Sequence, residues 1–376
     1  MWRRIKALHR SGVELQLICW ISHDLALDEL AEIQTYVSRV HLIPFKKTPA
    51  SVLFQAFELA FYPREVTSRM IRGRQLDELM AQVRSFQPDA IFLDGLHGGK
   101  LATFLSEQLN VMLLTRSHNI EHLYYRRLLQ SATGIRKLKR VLSLTHLEQY
   151  ERSILSRSAI FYDISMDDLI FWQSQGFTHG RYLPPFIEPV EGEDSQQLVT
   201  TSARKPEYDI VFLGNLCSDN NVEGIDWFVT EVLPRVRATL PEITVLIAGS
   251  NPVKKVRKLC KEQRVEIHIN PSCSMQTYQF GQVLVNPVKA GSGVSIKSIE
   301  MLMANRPIVS TPQGVAGLPD HVKPYFEIAT DARSFAEAIV KLLLNPCPIQ
   351  VDRTLLESLF GYQAIEVVLS DIRALI

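Results

Sequence analysis

The chain has 376 residues, enough for two domains with separate cores. Apolar residues make up 46% and charged residues 22%, an ordinary globular balance. Its 41 Lys and Arg against 40 Asp and Glu leave a formal charge of +1, which gives no reason to expect a nucleic-acid partner.

The opening MWRRIKALHRSGVELQLICW starts basic, but Glu14 and Gln16 interrupt its apolar stretch and make it a poor signal peptide. No run approaches bilayer-spanning length, so a cytoplasmic protein is expected. Residues 14–21, 89–96 and 111–118 read as strands buried on both faces, and 75–86 and 99–109 have the apolar spacing of helices. The basic cluster GIRKLKR at 134–140 reads first as a solvated helix face. Its second reading is a peripheral contact with an anionic membrane surface. Residues 187–208 are polar and acidic and read as a linker.

Alternation then resumes. Strands are expected at 209–216 and 243–252 and in VEIHI, QVLVNPV and RPIVST. Helices are expected at 224–240, with a kink or break at Pro234, at 253–263, and at 331–344. Strands alternating with helices predict parallel sheets covered by helices, in two α/β domains. The boundaries are 1–186 for the first domain and 209–350 for the second, with 351–376 a helical segment that can return to the first. Cys19, Cys217, Cys260, Cys273 and Cys347 lie far apart, odd in number and without metal-ligand spacing, which predicts unpaired thiols.

Residues 286–311 read NPVKAGSGVSIKSIEMLMANRPIVST. A strand runs into a glycine pair, and a helix is expected to begin at about Ser292 or Gly293. In open parallel sheets ligands bind beyond the carboxyl ends of the strands. Gly291 and Gly293 let a ligand approach the backbone, and the free N–H groups of a helix start suit a phosphate. Lys297 and Glu300 are three residues apart and therefore neighbours on the helix surface. Lys297 would meet a pyrophosphate, and Glu300 would accept two ribose hydroxyls. The competing reading is a surface ion pair worth well under about 1 kcal/mol. Against it, the apolar company of SIEMLMA predicts a partly buried Glu300 in need of a partner. A P-loop pattern is absent, and the third glycine of a dinucleotide fingerprint is missing.

The stretch 284–318, LVNPVKAGSGVSIKSIEMLMANRPIVSTPQGVAGL, resembles the donor-site signature of retaining GT-B glycosyltransferases, the family 4-like or group 1 enzymes, in the branch written GSGxxxK-xxE. The resemblance implies an α/β fold of two Rossmann-like domains facing each other across a cleft. It puts Gly291, Ser292, Gly293 and Lys297 on the donor diphosphate and Glu300 on the ribose. Other members carry a second glutamate where this chain has Ser292. Gly214 and Asn215 match the family's first donor-domain loop beside the ligand, though Gly214 reads equally as a strand-end turn. Gly314 and Gly317 match the loop that closes over the donor. The segment TRSHNIEHLYYRRL matches a turn that puts His118 near the transferred sugar, a satisfied structural histidine being the alternative.

The implied activity is transfer of a sugar from a nucleotide-diphosphate sugar to an acceptor hydroxyl, with retention of configuration and with His118 and Lys297 as catalytic residues. No convincing D-x-D motif is present, so no metal cofactor is expected, and the helix start with Lys297 would meet the leaving charge. The family's first strand and glycine-rich loop have no counterpart at the start of this chain, which would leave exposed strand edges. A same-fold epimerase or phosphorylase and a non-catalytic partner subunit are the alternatives. The donor base, the sugar, the acceptor and the oligomeric state are fixed by no motif.

Overall fold

A computed structural model describes residues 2–45, 48–130, 134–187, 206–290, 293–346 and 351–375. Most of the expected linker, Gly291, Ser292 and Cys347 therefore lie outside the described residues. The chain divides into two units, one formed by Met1–Phe186 with Tyr362–Ile376 and the other by Ile187–Gly361.

The first unit holds two parallel sheets. Among the described residues, strand β1 (Gln16–Ile21) pairs only with β2 (Arg39–Pro44). The other sheet runs β3 (Ala90–Asp94), β4 (Met112–Ser117), β5 (Ile160–Asp163) and β6 (Gly180–Tyr182). The inner strand β4 is buried along nearly its whole length, as expected. The strands at 14–21 and 89–96 correct the expectation: β1 is half-buried throughout and β3 is mostly so. Among the described residues each has a strand neighbour on one side only, which leaves its other edge without a strand partner there.

Leu93, Leu113, Phe161 and Trp172 pack one face of the larger sheet. On the other face Leu114, Tyr162 and Leu183 meet Ala364 and Val368 of the last helix, Tyr362–Leu375. The Tyr162 hydroxyl donates to Asp371 at 2.9 Å, and Arg181 pairs with the same carboxylate. The preceding helix, Arg353–Phe360, buries Leu356 and Phe360 in the second unit instead. The C-terminal segment is thus divided at Gly361.

The second unit is one six-stranded parallel sheet. Its strands are β7 (Tyr208–Leu213), β8 (Val245–Gly249), β9 (Glu266–Ile269), β10 (Gly281–Asn286), β11 (Ile308–Ser310) and β12 (Glu327–Ile328). Their order is β12-β11-β10-β7-β8-β9, so the chain winds outward from β7 in one direction and then returns to build the other half from β10. Such a reversal opens a crevice at the carboxyl ends of the central strands. β8 and β10 are almost wholly buried apolar runs, as a doubly covered sheet requires.

The expected helix at 224–240 begins earlier, at Asp219. It passes through a π-helical turn at Phe228–Val232 and resumes as Leu233–Thr239. Pro234 stands at the start of that last piece, and the wider turn before it accommodates the missing N–H.

Candidate functional site

A cavity of about 380 Å³ opens at the carboxyl ends of β7, β8 and β9. Gly214, Gly249, Ser250, Tyr278, Lys297 and Glu300 are among its lining. Three of the residues singled out in the sequence, Gly214, Lys297 and Glu300, therefore meet in one place.

The wall is built from close backbone approaches. Gly214 N–H donates to Ala248 O at 3.1 Å, and Leu216 N–H to Ser250 O at 2.8 Å, which ties the loop after β7 to the end of β8. A Cβ on Gly249 would overlap the Gly214 carbonyl oxygen, so this contact demands glycine. Sequence reading missed Gly249 although it sits in the strand end AGSNP, because its neighbour comes from a distant loop.

Lys297 and Glu300 project from the helix Ile296–Met303. That helix starts later than expected: Gly293 has φ 71°, in the left-handed region, and Ser295 is the extended cap residue. The Lys297 ammonium donates to Asn221 Oδ1 at 2.6 Å and lies 4.6 Å from the centre of the Phe212 ring. Burial lowers its pKa to about 7, because neither a neutral amide nor a ring replaces the lost hydration. Glu300 is half-buried, as its apolar neighbours predicted.

Tyr278 comes from the helix Ser274–Gln279, is fully buried, and has a hydroxyl with no hydrogen-bond partner among the described residues. Burial, and then the Glu300 charge, push its phenol pKa upward and keep it a neutral donor. Removing an unpaired hydroxyl sacrifices no bond. Tyr278→Phe is therefore expected to leave the melting temperature unchanged or to raise it by the equivalent of about 1 kcal/mol, as a thermal melt would read.

A polar network holds the helix in place. Asn286, the last residue of β10, donates from Nδ2 to Ser298 Oγ at 2.8 Å, and Ser298 Oγ donates to Gly314 O at 2.6 Å. Thr311 closes the set by donating to Val288 O. Gly314 faces Ser310 Oγ and Asn286 Nδ2, the latter 2.6 Å from where a Cβ would stand, so packing against the ends of β10 and β11 requires the glycine. Gly317 has φ 73°, a conformation that also favours glycine. Asn215 is exposed, accepts from Cys217 N–H at 3.1 Å, and serves its own loop. Its carbonyl receives Asn221 Nδ2 at 2.9 Å, so one asparagine links this loop to Lys297.

His118 lies in the first unit, just after β4, with 41% of its side chain exposed. Its Nε2 is 2.7 Å from Asp94 Oδ1, and Arg116 Nη1 reaches the same oxygen at 3.1 Å. Burial alone would raise the Asp94 pKa. The His118 hydrogen bond and the charges of Arg116 and Arg4 outweigh it and hold the carboxyl well below its usual range. Nε2 is thereby engaged with Asp94, and an added ligand would meet Nδ1. The neighbouring His122 is structural: its Nδ1 is 2.6 Å from the buried Glu151, whose carboxylate also accepts the N–H groups of Glu121 and His122 at the helix start.

Cys19, Cys217, Cys260 and Cys273 are free thiols. Among the described residues no three His, Cys, Asp or Glu side chains converge as a metal site, and no helix is long and apolar enough to cross a membrane.

Residues 207–345 match the family model for glycosyl transferases group 1. The matched residues span the second unit's sheet and the helix Ala332–Leu344. A Klebsiella pneumoniae protein, described as an uncharacterized 44.6 kDa protein in the cps region, is 25% identical over 244 residues. That alignment takes in 62% of this chain and 60% of the relative.

Solved structures extend the likeness over the whole chain. Sucrose-phosphate synthase from Thermosynechococcus elongatus superposes with a TM-score of 0.64 at 15% identity, covering 99% of this chain and 92% of that one. Anabaena HepE in complex with UDP and glucose gives 0.60 at 12%, covering 98% and 94%. A UDP-forming trehalose-phosphate synthase from Burkholderia xenovorans gives 0.55 at 11%, covering 96% and 99%. The fold is that of the GT-B glycosyltransferases.

Proposed function

We propose that the protein is a glycosyltransferase that moves a sugar from a nucleotide-diphosphate sugar to an acceptor hydroxyl, without a metal and with retention of configuration. The observation that carries the reading is the second-unit cavity. There a buried ammonium and a carboxylate project from one short helix beside the glycine backbone of β7 and β8.

In this reading the diphosphate takes the Lys297 end, and Glu300 accepts the ribose hydroxyls. Negative charge grows on the leaving diphosphate as the sugar–phosphate bond breaks. Lys297 meets that charge from a position already desolvated, where it acts without reorganisation. The acceptor falls to the first unit, whose contribution is His118 held by Asp94. A uridine base is favoured by the fold likeness to Anabaena HepE, which was solved with UDP and glucose.

The test has two arms. Thermal stabilisation by UDP, GDP and ADP identifies the base, because a ligand specific for the folded form raises the apparent stability by mass action. Product analysis then separates the reactions: a new glycoside with free nucleoside diphosphate supports transfer, whereas an interconverted nucleotide sugar refutes it.

The Lys297 pKa gives the binding a pH signature. In the free protein the ammonium loses its proton at about pH 7. A bound diphosphate favours the charged form, so binding takes up a proton above that pH. Affinity is expected to be full where the lysine is already charged and to fall by up to about tenfold per pH unit above 7, until the complexed lysine itself titrates. Lys297→Arg, which stays charged, should flatten this profile in calorimetric titrations.

A further inference from the structure

Two helices of the first unit expose apolar rows that no part of the proposed reaction uses. On the helix Pro49–Glu58, Leu53 is 74% and Phe57 64% exposed, and Phe61 continues the row at the same four-residue spacing. On the helix Gly134–Leu144, Ile135 is 74% and Leu138 62% exposed, with exposed Val141 three residues further on. Both helices pack beside the short helix Arg64–Thr67. The buried side of Gly134–Leu144 is fixed there by Ser143, whose hydroxyl donates to Glu65 at 2.7 Å.

The charges around the rows are one-sided. The helix GIRKLKRVLSL has no acidic residue. At roughly 100° per residue, Lys137 and Lys139 flank the Ile135–Leu138–Val141 row on either side, and both are exposed. The acids on the helices Pro49–Glu58 and Arg64–Thr67 are already engaged. Glu58 is buried against Arg72, and Glu65 binds Ser143 and lies 3.6 Å from Arg64. Exposed apolar rows of this kind are uncommon on a monomer surface and mark contact sites.

We propose that the first unit docks on an anionic bilayer surface through these two helices. Phe57, Phe61, Ile135 and Leu138 enter the headgroup boundary, and Lys137 and Lys139 lie along it with their ammonium groups on lipid phosphates. A second copy of the chain is the poorer occupant, because self-pairing through this helix would bring two acid-free basic faces together.

Co-sedimentation of the full chain with vesicles tests the docking. The protein is expected to pellet with phosphatidylcholine vesicles containing phosphatidylglycerol and to remain in solution with phosphatidylcholine alone. Each basic residue is worth about fivefold in partitioning, so the double variant Lys137→Glu, Lys139→Glu should lose at least about 25-fold. Leu53→Ser with Phe57→Ser should lose binding as well. Unchanged melting of both variants shows that they fold, and unchanged nucleotide binding keeps the outcome separate from that of the second-unit site. The proposal is overturned if wild type and variants pellet alike, or if wild type ignores anionic vesicles. It is equally overturned if Phe57→Ser dissociates a solution dimer while vesicle binding is absent.

Discussion

Lys297→Ala is expected to weaken nucleoside diphosphate binding by about one to two orders of magnitude while leaving the fold intact. A hydrogen bond to a charged partner contributes about 1.5–3 kcal/mol, and the desolvated position of this ammonium places it at the upper part of that range. The fold is spared because the free protein gains little from the lysine. It gives up the bond to Asn221 and the Phe212 contact but also sheds the burden of a buried cation. The melting temperature should therefore hold or rise. Glu300→Ala should show the same separation, with loss of binding concentrated in the ribose. Calorimetric titration with UDP, UMP and uracil reads this directly, since only ligands that carry the missing contact lose affinity. Both variants binding UDP as tightly as wild type would displace the donor site from this cavity.

Gly249→Ala is expected to act the other way, through stability. The new methyl would overlap the Gly214 carbonyl, which is backbone and cannot swing aside like a long side chain. Either β8 retreats from β7 or the loop after β7 unlocks, and each breaks the bonds Gly214 N–H makes with Ala248 O and Leu216 N–H with Ser250 O. A cost above about 3 kcal/mol follows, or a fall of some 6–12 °C in the melting temperature for a unit of this size. Gly12→Ala supplies the comparison. It too has a positive φ, 80° against 153° at Gly249, but nothing lies within 4 Å of the added atom, so only the conformational penalty of about 1 kcal/mol applies. Similar costs for the two variants would mean that backbone conformation, and not the close approach, governs Gly249.

The second unit was the more legible half, for a physical reason. Its central strands are buried on both faces and so appear as unbroken apolar runs, IVFL and VLIAG among them. The helix with Lys297 and Glu300 was readable because the strand, the turn and the helix are contiguous. Its start was placed three or four residues too early, since the pattern GSGVS does not disclose that Gly293 is left-handed and that Ser295 is the cap. In the first unit β2, β5 and β6 went unread. RVHLIP carries two polar residues and ends in proline, and GRY is only three residues long.

What escaped in the site were the partners. Asn221, Tyr278 and Asn286 lie on separate elements, and only folding shows that one accepts the Lys297 hydrogen bond, one has an unspent hydroxyl, and one anchors the helix. Gly314 shows the converse: the residue type was noticed, but the contact that demands it is internal packing.

The division of the C-terminal segment at Gly361 bears on how the protein matures. Domains usually close in the order in which they leave the ribosome. Here the second unit has all its residues once Gly361 has emerged, whereas the first still waits for Tyr362–Leu375 to cover Leu114 and Tyr162. The half translated first is therefore completed last, and until Tyr362–Leu375 has emerged its sheet keeps an uncovered apolar face.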